Sequence, residues 1–426
     1  MNEPTFHTLS NGLTTALWPQ DHLHSLVFGL YIRVGSRYET LEQKGITHFL
    51  EHVLFRGNSK YKNSLEMNRT FESWGGSLNA YTTREYMYFY GRLHPSFLEE
   101  CLTFVGDLVR APKFADIPLE RNIILEERLQ DVDSDGQLLD EDDVSRAVFW
   151  GEHPLGYPII GIPKSIKQIT ETDLEKHFQH FFGAKNMVLC LNGNFNPEEA
   201  KQLMDKHLTD LPPGELRQPM PIPEDPNPQQ NAAFVHHDSS QVGILLSFRG
   251  PSPKDPDYLA SSLLDRILDD GMSSRLWQTL VETRGLCYDL WTSIDTYHDG
   301  SIFDIGASVA PEKVVELVEG IYKEVYLLRE EGPTFDEFEH ARKRWVYRQE
   351  YLLDHVTSLN EYVGGHVLYD TYRSLDEQRA EMEKLTLDHL HQAARKLFQP
   401  ERQILTAVGP LRKSIKRRLR NLIELL

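Results

Sequence analysis

The sequence predicts an α+β fold of two homologous domains, each a mostly antiparallel sheet packed with helices. Three observations indicate this: the chain length, a proline-rich segment near the middle, and strand pairs that recur between long helices. With 426 residues, the chain is longer than one hydrophobic core usually organises, so at least two domains are expected. Hydrophobic residues make up 40% of the chain and charged residues 26%, a balance typical of globular proteins.

The segment 211–230 reads LPPGELRQPMPIPEDPNPQQ and is rich in proline. Proline has no backbone N–H and fixes φ, so such a segment cannot continue a helix or a central strand. It predicts an extended linker between a first domain, 1–210, and a second domain, 231–426.

Strand pairs occur in both halves. Segments 76–81 and 86–93 form one hairpin-like pair, and segments 291–297 and 300–310 form another. His298 and Asp299, followed by Gly300, give the second pair a good turn signal. Long helical segments, such as 96–110 and 313–330, separate these pairs. Strand pairs packed on long helices predict the α+β class rather than a parallel doubly wound sheet.

The two halves also resemble each other in order. An alternating strand at 27–34 leads to a helix around 48–55, and a strand at 242–248 leads to a helix at 258–268. Aligning Gly57 with Gly271 places three residues of the second half, Ser262, Asp265 and Arg266, opposite His48, Glu51 and His52. The hypothesis is a duplicated fold in which only the first copy keeps a metal site.

Charge and hydropathy restrict the partners. The net charge is −19, from 45 basic and 64 acidic residues, so we expect neither nucleic acid nor an anionic membrane as a partner. No window approaches the roughly 18 apolar residues of a membrane-spanning helix. The first 19 residues lack a basic region followed by an apolar one, which predicts no signal peptide and a cytoplasmic location.

The tail 411–426 is basic and amphipathic. We predict a final surface helix whose leucines pack on the second domain, and a membrane-surface role is the alternative.

The three cysteines, Cys101, Cys190 and Cys287, are far apart and odd in number. This argues against a disulfide framework and against a zinc site made of cysteines. Cys101 and Cys190 stand in apolar runs and are predicted to be buried thiols. Any metal must then be held by histidine and carboxylate.

The segment His48-Phe49-Leu50-Glu51-His52 is the strongest chemical motif. Residues four apart share one face of a helix, so His48 and His52 can direct two imidazole nitrogens at one point, with Glu51 beside them. Zinc prefers such ligands, and a carboxylate next to it can take a proton from water. The alternative is a chance pattern, but two histidines and a glutamate are costly on an apolar helix unless something satisfies them.

A third ligand should come from another helix. The segment 118–128, which begins with proline, places Glu120 and Glu127 on one face because they are seven residues apart. Glu126 points about a third of a turn away from the face that Glu120 and Glu127 share. From the spacing alone, an ordinary charged helix face is the better interpretation of this segment.

Longer segments carry a family resemblance. In the first half these are LSNGLTTALWP, VGSRYET, GITHFLEHVLFRG, WGGSLNAYTTREYMYFY, ERNIILEERL, HPLGYPIIG and NMVLCLNGNF, and in the second half DDGMSSRLWQTLVETRGLCY. Together they resemble the pitrilysin/insulinase family of zinc peptidases over nearly the whole chain. The length suits the single-unit branch, which includes mitochondrial processing peptidase subunits and many bacterial members.

The resemblance implies that Zn2+ is bound by His48, His52 and Glu127, with Glu51 as general base. It also implies that Glu120 orients a metal-ligating histidine. The strand Gly76, Ser77, Leu78, Asn79 and Ala80 matches the family's substrate-binding edge, where a peptide would add as a β-strand.

The family also grips substrate with an arginine and a tyrosine from its C-terminal domain. Tyr288 matches the tyrosine, but Val281 stands where the arginine is expected. Arg284 lies four residues before Tyr288 and is the remaining candidate substrate-binding arginine. At this position of the predicted substrate clamp, the chain departs from the family pattern.

The function predicted from these residues is a zinc endopeptidase for short or unfolded polypeptides. The two domains would form half of a clam-shell, and two chains, as a homodimer or as a heterodimer with a related subunit, would enclose a chamber. One alternative is a metal-bearing or non-catalytic subunit of a heterodimer whose partner supplies the arginine. Another is a maturation protease dedicated to one peptide.

Overall fold

The structure, a computed structural model, describes residues 3–133, 136–223 and 230–424. Eleven strands lie within these ranges: β1 (Thr5–Thr8), β2 (Thr14–Pro19), β3 (Leu26–Ile32), β4 (Ser77–Thr82), β5 (Met87–Leu93), β6 (Met187–Gly193), β7 (Ala232–His236), β8 (Val242–Gly250), β9 (Cys287–Tyr297), β10 (Gly300–Val309) and β11 (Gln403–Gly409). The two predicted hairpins are thus β4–β5 and β9–β10.

The same ranges contain fifteen α-helices: α1 (Ile46–Leu54), α2 (Ser64–Ser73), α3 (Leu98–Arg110), α4 (Ile117–Arg128), α5 (Glu141–Trp150), α6 (Pro163–Gln168), α7 (Glu171–Phe181), α8 (Pro197–Leu208), α9 (Tyr258–Leu268), α10 (Val314–Glu330), α11 (Phe335–Leu352), α12 (Val356–Leu368), α13 (Leu375–Lys384), α14 (Leu387–Leu397) and α15 (Lys413–Glu424). Among the described residues, none of these helices combines the length and the apolar character that crossing a membrane requires.

The strands form two sheets with the same topology. The first has the order β1-β2-β6-β3-β5-β4 and the second the order β7-β11-β8-β10-β9. In each sheet one neighbouring pair, β2–β6 or β7–β11, is parallel, and the other pairs are antiparallel. Without β1, the two orders correspond strand for strand. The predicted class, two homologous and mostly antiparallel sheets packed with helices, is therefore confirmed.

The chain divides into two compact units that differ from a simple cut at the proline-rich segment. The first unit is Met1–Gln130, Tyr157–Met220 and Glu350–Ser374, and the second is Asp131–Gly156, Pro221–Gln349 and Leu375–Leu426. The first half of the sequence thus contributes Asp131–Gly156 to the second unit, and the second half contributes Glu350–Ser374 to the first unit. Of the predicted linker 211–230, residues 224–229 lie outside the described ranges.

In the first unit, the segment from the second half supplies α12, which packs on β3 and β6. Asn360 of α12 is fully buried, and its Nδ2 donates to Asn192 Oδ1 at 2.8 Å. Its Oδ1 accepts from the hydroxyls of Tyr31 at 3.0 Å and Tyr88 at 3.3 Å. These bonds tie a residue from position 360 to the middle of a sheet formed by the first 193 residues.

In the second unit, the segment from the first half supplies α5, which packs on β7, β8 and β11. The guanidinium of Arg146 lies 2.5 Å from Asp304 on β10, and both side chains are almost completely buried. Ser145 is within 2.8 Å of Ser247 on β8. Pairing a buried cation with a buried carboxylate offsets the desolvation of both, so α5 has a specific position on this sheet.

Two further predictions concern the core. Cys101 and Cys190 are buried free thiols as predicted, and Cys287 is a half-buried free thiol. Helix α15 packs on α10, and Leu419 and Ile423 are buried in the core of the second unit, as predicted for the tail.

Candidate metal centre

Helix α1, which carries the His48–His52 motif, is anchored at its first turn. It follows Gly45, whose φ of 87° favours glycine, and a Cβ there would lie 2.7 Å from the Cα of Gly161. The carboxylate of Glu39 accepts the N–H groups of Gly45 and Thr47 at 2.7 and 2.9 Å. Burial raises the pKa of Glu39 to about 7, although the same backbone bonds act in the opposite direction.

The apolar residues of α1 fix its orientation. Phe49, Leu50 and Val53 are buried in the core of the first unit together with Phe28 and Leu30 of β3. The opposite side of the helix is therefore left for His48 and His52, which are partly exposed. The helix takes this orientation because its apolar residues recur at helical spacing and share one face, which the core buries, while the two histidines lie on the other face.

The structure brings His48, His52 and Glu127 together. The Nε2 atom of His48 lies 3.9 Å from Glu127 Oε1, and the Nε2 atom of His52 lies 3.6 Å from Glu127 Oε2. One ligand atom from each of the three residues lies within 4.8 Å of the others. Glu127 comes from α4, so two separate helices bring together the three residues that the family resemblance implies as metal ligands.

The donor set fits a tetrahedral zinc ion. Ligand atoms about 2.0–2.2 Å from such an ion are roughly 3.4 Å from each other. The two nitrogen–oxygen separations of 3.6 and 3.9 Å are close to that value. Two imidazoles and one carboxylate are also a common catalytic ligand set, which leaves a fourth position for water or substrate.

His48 has the protonation state that a metal ligand needs. Burial, and secondarily the neighbouring His52, lowers the pKa of His48 to about 3, so its imidazole is neutral at pH 7. Its Nδ1 atom is buried without a hydrogen-bond partner among the described residues.

His52 is held by Glu120. Its Nδ1 lies 2.9 Å from Glu120 Oε2, and the side chain of Glu120 is only 3% exposed. If the carboxylate accepts the Nδ1 proton, the Nε2 lone pair is free to point towards Glu127. Glu120 also pairs with Arg56, whose guanidinium contacts Oε1.

Glu51 lies beside the histidines and is buried, with 9% of its surface exposed. The hydroxyl of Thr82 donates to its Oε2 at 2.5 Å. Burial raises the pKa of Glu51, the Thr82 bond and His52 lower it, and Glu127 raises it. A carboxylate held in this way is suited to accept a proton near neutral pH.

The predicted substrate-binding segment forms β4 at one edge of the first sheet. Gly76 precedes the strand, Ser77 and Asn79 are exposed, Leu78 is buried, and Ala80 is half-buried. Because side chains alternate, Thr82 shares a face with Leu78 and Ala80, and its bond joins that face to Glu51. Among the described residues, β4 pairs only with β5, so its outer backbone groups are available to an added strand.

The predicted clamp residues belong to the second unit. Tyr288 is 88% exposed on β9, the edge strand of the second sheet. Arg284 forms an ion pair with Glu316 at 2.9 Å. Val281 lies in a π-helical segment, Trp277–Glu282, and packs against the core of that unit.

Glu126, as predicted, is exposed on α4.

Sequence reasoning missed two residues of this site. Thr82 continues the alternation of Leu78 and Ala80, and that periodicity was a usable signal for its face. Arg56 follows His52 by four residues, so helical spacing placed it on the same side as both histidines. Neither signal specified the partner carboxylates, which come from distant parts of the chain.

With this geometry in place, family comparison defines the class of the protein. Residues 17–162 match the family "Insulinase (Peptidase family M16)", and residues 168–344 match "Peptidase M16 inactive domain". The chain belongs to the pitrilysin/insulinase, or M16, family of peptidases. The family resemblance seen in the sequence is therefore confirmed.

Individual relatives share most of their length with this chain. An uncharacterized zinc protease of Mycobacterium leprae (strain TN) is 28% identical, with 98% of this chain and 94% of the relative covered. An uncharacterized zinc protease of Bacillus subtilis (strain 168) is 26% identical, with 95% and 98% covered.

Two solved structures have the same fold. A protease from Helicobacter pylori has a TM-score of 0.85 at 21% identity, covering 96% of this chain and all (100%) of that chain. A peptidase M16 inactive domain from Pseudomonas fluorescens has a TM-score of 0.87 at 20% identity, covering 96% and 98%.

Proposed function

We propose that this protein is a zinc-dependent endopeptidase that hydrolyses peptides or unfolded polypeptides. The observation that carries the proposal is the convergence of His48, His52 and Glu127 next to the buried carboxylate of Glu51. A scaffold protein has no physical need for two histidines and three carboxylates on facing helices. The names of the relatives, which describe zinc proteases, support the same reaction class.

His48, His52 and Glu127 would hold the metal. When bound, zinc supplies Lewis acidity, which lowers the pKa of a water molecule and polarises the substrate carbonyl. Glu51 would accept a proton from the attacking water and later deliver it to the leaving amine. Thr82 orients the Glu51 carboxylate for both transfers through its bond to Oε2.

The substrate would bind as an additional strand along β4. Backbone hydrogen bonds along this edge supply affinity with little dependence on side chains, which favours extended or unfolded polypeptides over folded proteins. The net charge of −19 is compatible with neutral or basic substrates. The proposal includes the assembly of two chains, either identical or related, which would enclose a chamber where the substrate is hydrolysed.

The proposal is tested by incubating the purified chain with a pool of unstructured peptides and measuring both cleavage and zinc content. Glu51→Gln is the informative variant, because it removes the base and keeps the three metal-binding residues. Glu126→Gln is the matched control, since Glu126 is exposed on α4. We expect wild type and Glu126→Gln to cleave, and Glu51→Gln to hold zinc without cleaving. A wild type that does not hold zinc contradicts the proposal.

A second candidate function is a metal-bearing or non-catalytic subunit of a heterodimeric peptidase. Val281 favours it, because a partly buried valine that packs against the core stands where the family resemblance expects a substrate-contacting arginine. In that case, the chain alone holds zinc but does not cleave peptides, and activity appears only when a related subunit is added.

A further inference from the structure

We propose that Arg56 is a positioning residue of the metal centre, acting on His52 through Glu120. This inference rests on the proposed function, because it concerns how the chain holds a metal ion. It goes beyond the metal-binding residues and the base by assigning a role to a side chain that touches neither a metal ligand nor substrate.

The first step is the placement of Arg56 on α1. His48, His52 and Arg56 follow one another at intervals of four residues. Such residues lie on the same side of a helix, one turn apart. α1 ends at Leu54, and Phe55 keeps right-handed helical angles, so the spacing continues to Arg56. The arginine is therefore directed to the same side as both histidines.

The second step is the contact with Glu120. The guanidinium of Arg56 bonds to Oε1 of Glu120, while Nδ1 of His52 lies 2.9 Å from Oε2. Each oxygen of the carboxylate thus has its own partner. Rotation of the carboxylate would break both contacts, so the two partners hold it in one orientation.

The third step is burial. The side chain of Glu120 is 3% exposed, whereas those of Arg56 and His52 are each 21% exposed. Water cannot readily replace a partner that is lost at Glu120. Removing Arg56 would leave one buried oxygen without its donors, and such a group is expected to change its orientation.

The fourth step links this orientation to the metal. When Nδ1 of His52 donates to Glu120, this bond restrains the imidazole with Nε2 on the side of Glu127, 3.6 Å from Oε2. A change in the carboxylate therefore changes the angle of the ring and the position of a metal-binding nitrogen. Zinc affinity, rather than fold alone, should depend on Arg56.

The experiment measures zinc affinity of the full-length chain by competition with a chromophoric chelator at constant pH. Arg56→Gln should weaken zinc binding by about 10–100-fold, the usual effect of losing a group that supports a ligand. Arg56→Lys, which keeps a cation, should restore part of the affinity. Arg69→Gln, on the exposed side of α2, is the matched control and should bind zinc like wild type.

A double-mutant cycle shows whether Arg56 acts through Glu120. If it does, Arg56→Gln combined with Glu120→Gln binds zinc about as weakly as Glu120→Gln alone. The absorption spectrum of the cobalt-substituted protein should also shift in Arg56→Gln and remain unchanged in Arg69→Gln. A purely structural ion pair would lower the thermal midpoint of the metal-free protein without changing this spectrum.

Two results are distinguishable. Wild-type zinc affinity and an unchanged cobalt spectrum in Arg56→Gln would overturn this inference, while the proposed function stands on wild-type cleavage. A wild type without zinc would overturn both. If Arg56→Gln does not fold, Arg56→Lys decides. A loss of zinc affinity in Arg56→Lys that disappears in the Glu120→Gln background supports the linkage, and a loss of the same size in both backgrounds contradicts it.

Discussion

Thr82 donates a 2.5 Å hydrogen bond to the carboxylate of Glu51, joining the edge strand β4 to the helix α1. The second unit contains the same kind of contact, since Thr292 of β9 donates to Asp265 of α9 at 2.6 Å. β4 and β9 have the same place in their sheet orders, and Asp265 is the residue that the sequence alignment sets opposite Glu51. The repeated fold thus keeps an acid–threonine pair in both units.

The two histidines are not kept in the second unit, where Ser262 and Arg266 occupy the aligned positions of α9. The shared pair therefore belongs to the packing of a helix against an edge strand, independently of any metal. In the first unit, the same contact restrains the candidate base. This dual role leads to the first prediction.

Thr82→Val should lower kcat by about 10–100-fold without changing zinc content. The valine keeps the shape and removes the hydroxyl that holds Glu51, and a hydrogen bond to a charged group contributes roughly 1.5–3 kcal/mol. Peptide hydrolysis at saturating substrate and metal analysis of the same samples check this. Thr82→Ser keeps the hydroxyl and should retain most activity, so equal losses in both variants would argue against the hydrogen bond.

Glu127→Gln should lower zinc affinity by more than about 100-fold, because an amide is a poor substitute for a ligating carboxylate. The neighbouring variant Glu126→Gln has the same chemical change at a residue outside the cluster of His48, His52 and Glu127, and it should leave affinity unaltered. Chelator competition measures both. Equal affinities for the two variants would mean that Glu127 is not a ligand.

Glu39 should make the stability of the first unit depend on pH. Its pKa is raised from 4.5 to about 7, so the folded state holds more protons than the unfolded state between these values. The contribution of Glu39 to the free energy of unfolding should therefore fall as pH rises through this window, by up to about 3 kcal/mol.

Urea unfolding of metal-free protein at pH 5 and pH 8, compared with Glu39→Gln, isolates this effect because the glutamine does not titrate. The advantage of wild type over the variant should be larger at pH 5. An advantage that grows towards pH 8 would show instead that the N–H groups of Gly45 and Thr47 stabilise the ionised carboxylate.

Asn360→Leu should destabilise the protein by about 3 kcal/mol. The leucine has a similar size, but it leaves the buried hydroxyl of Tyr31 with one partner fewer and removes the donor to Asn192. Ser358→Ala, an exposed change on the same helix, should alter stability by less than about 0.5 kcal/mol. Urea unfolding monitored by circular dichroism compares them, and a small effect of Asn360→Leu would indicate that α12 is held mainly by apolar packing.

Many of the strands and helices were predictable because they depend on local sequence patterns. The alternation in β3 and the hairpins β4–β5 and β9–β10 were readable from two-residue periodicity and turn residues. The predicted helical segments 258–268 and 96–110 correspond to α9, with the same bounds, and to α3, which also ends at Arg110. Likewise, the four-residue spacing of His48 and His52 fixed their common face before any tertiary contact was known.

The exchange of α5 and α12 between the units could not be read from the sequence. The proline-rich segment 211–230 marked the middle of the chain, but Asn360 and Arg146 find partners far away in sequence. These contacts form only when α12 packs on the first sheet and α5 packs on the second, and local periodicity in the sequence does not specify which sheet a helix packs on.

By itself, the sequence predicted the fold class and several of the strands and helices, and its resemblance to a known family implied a candidate ligand set that includes Glu127. Only the tertiary structure decided that Glu127 lies near both imidazoles, that Thr82 holds Glu51, and that Arg56 holds Glu120. The physical reason is that local spacing fixes the direction of a side chain from its own helix or strand. Contacts between elements arise only when the core has fixed their relative positions.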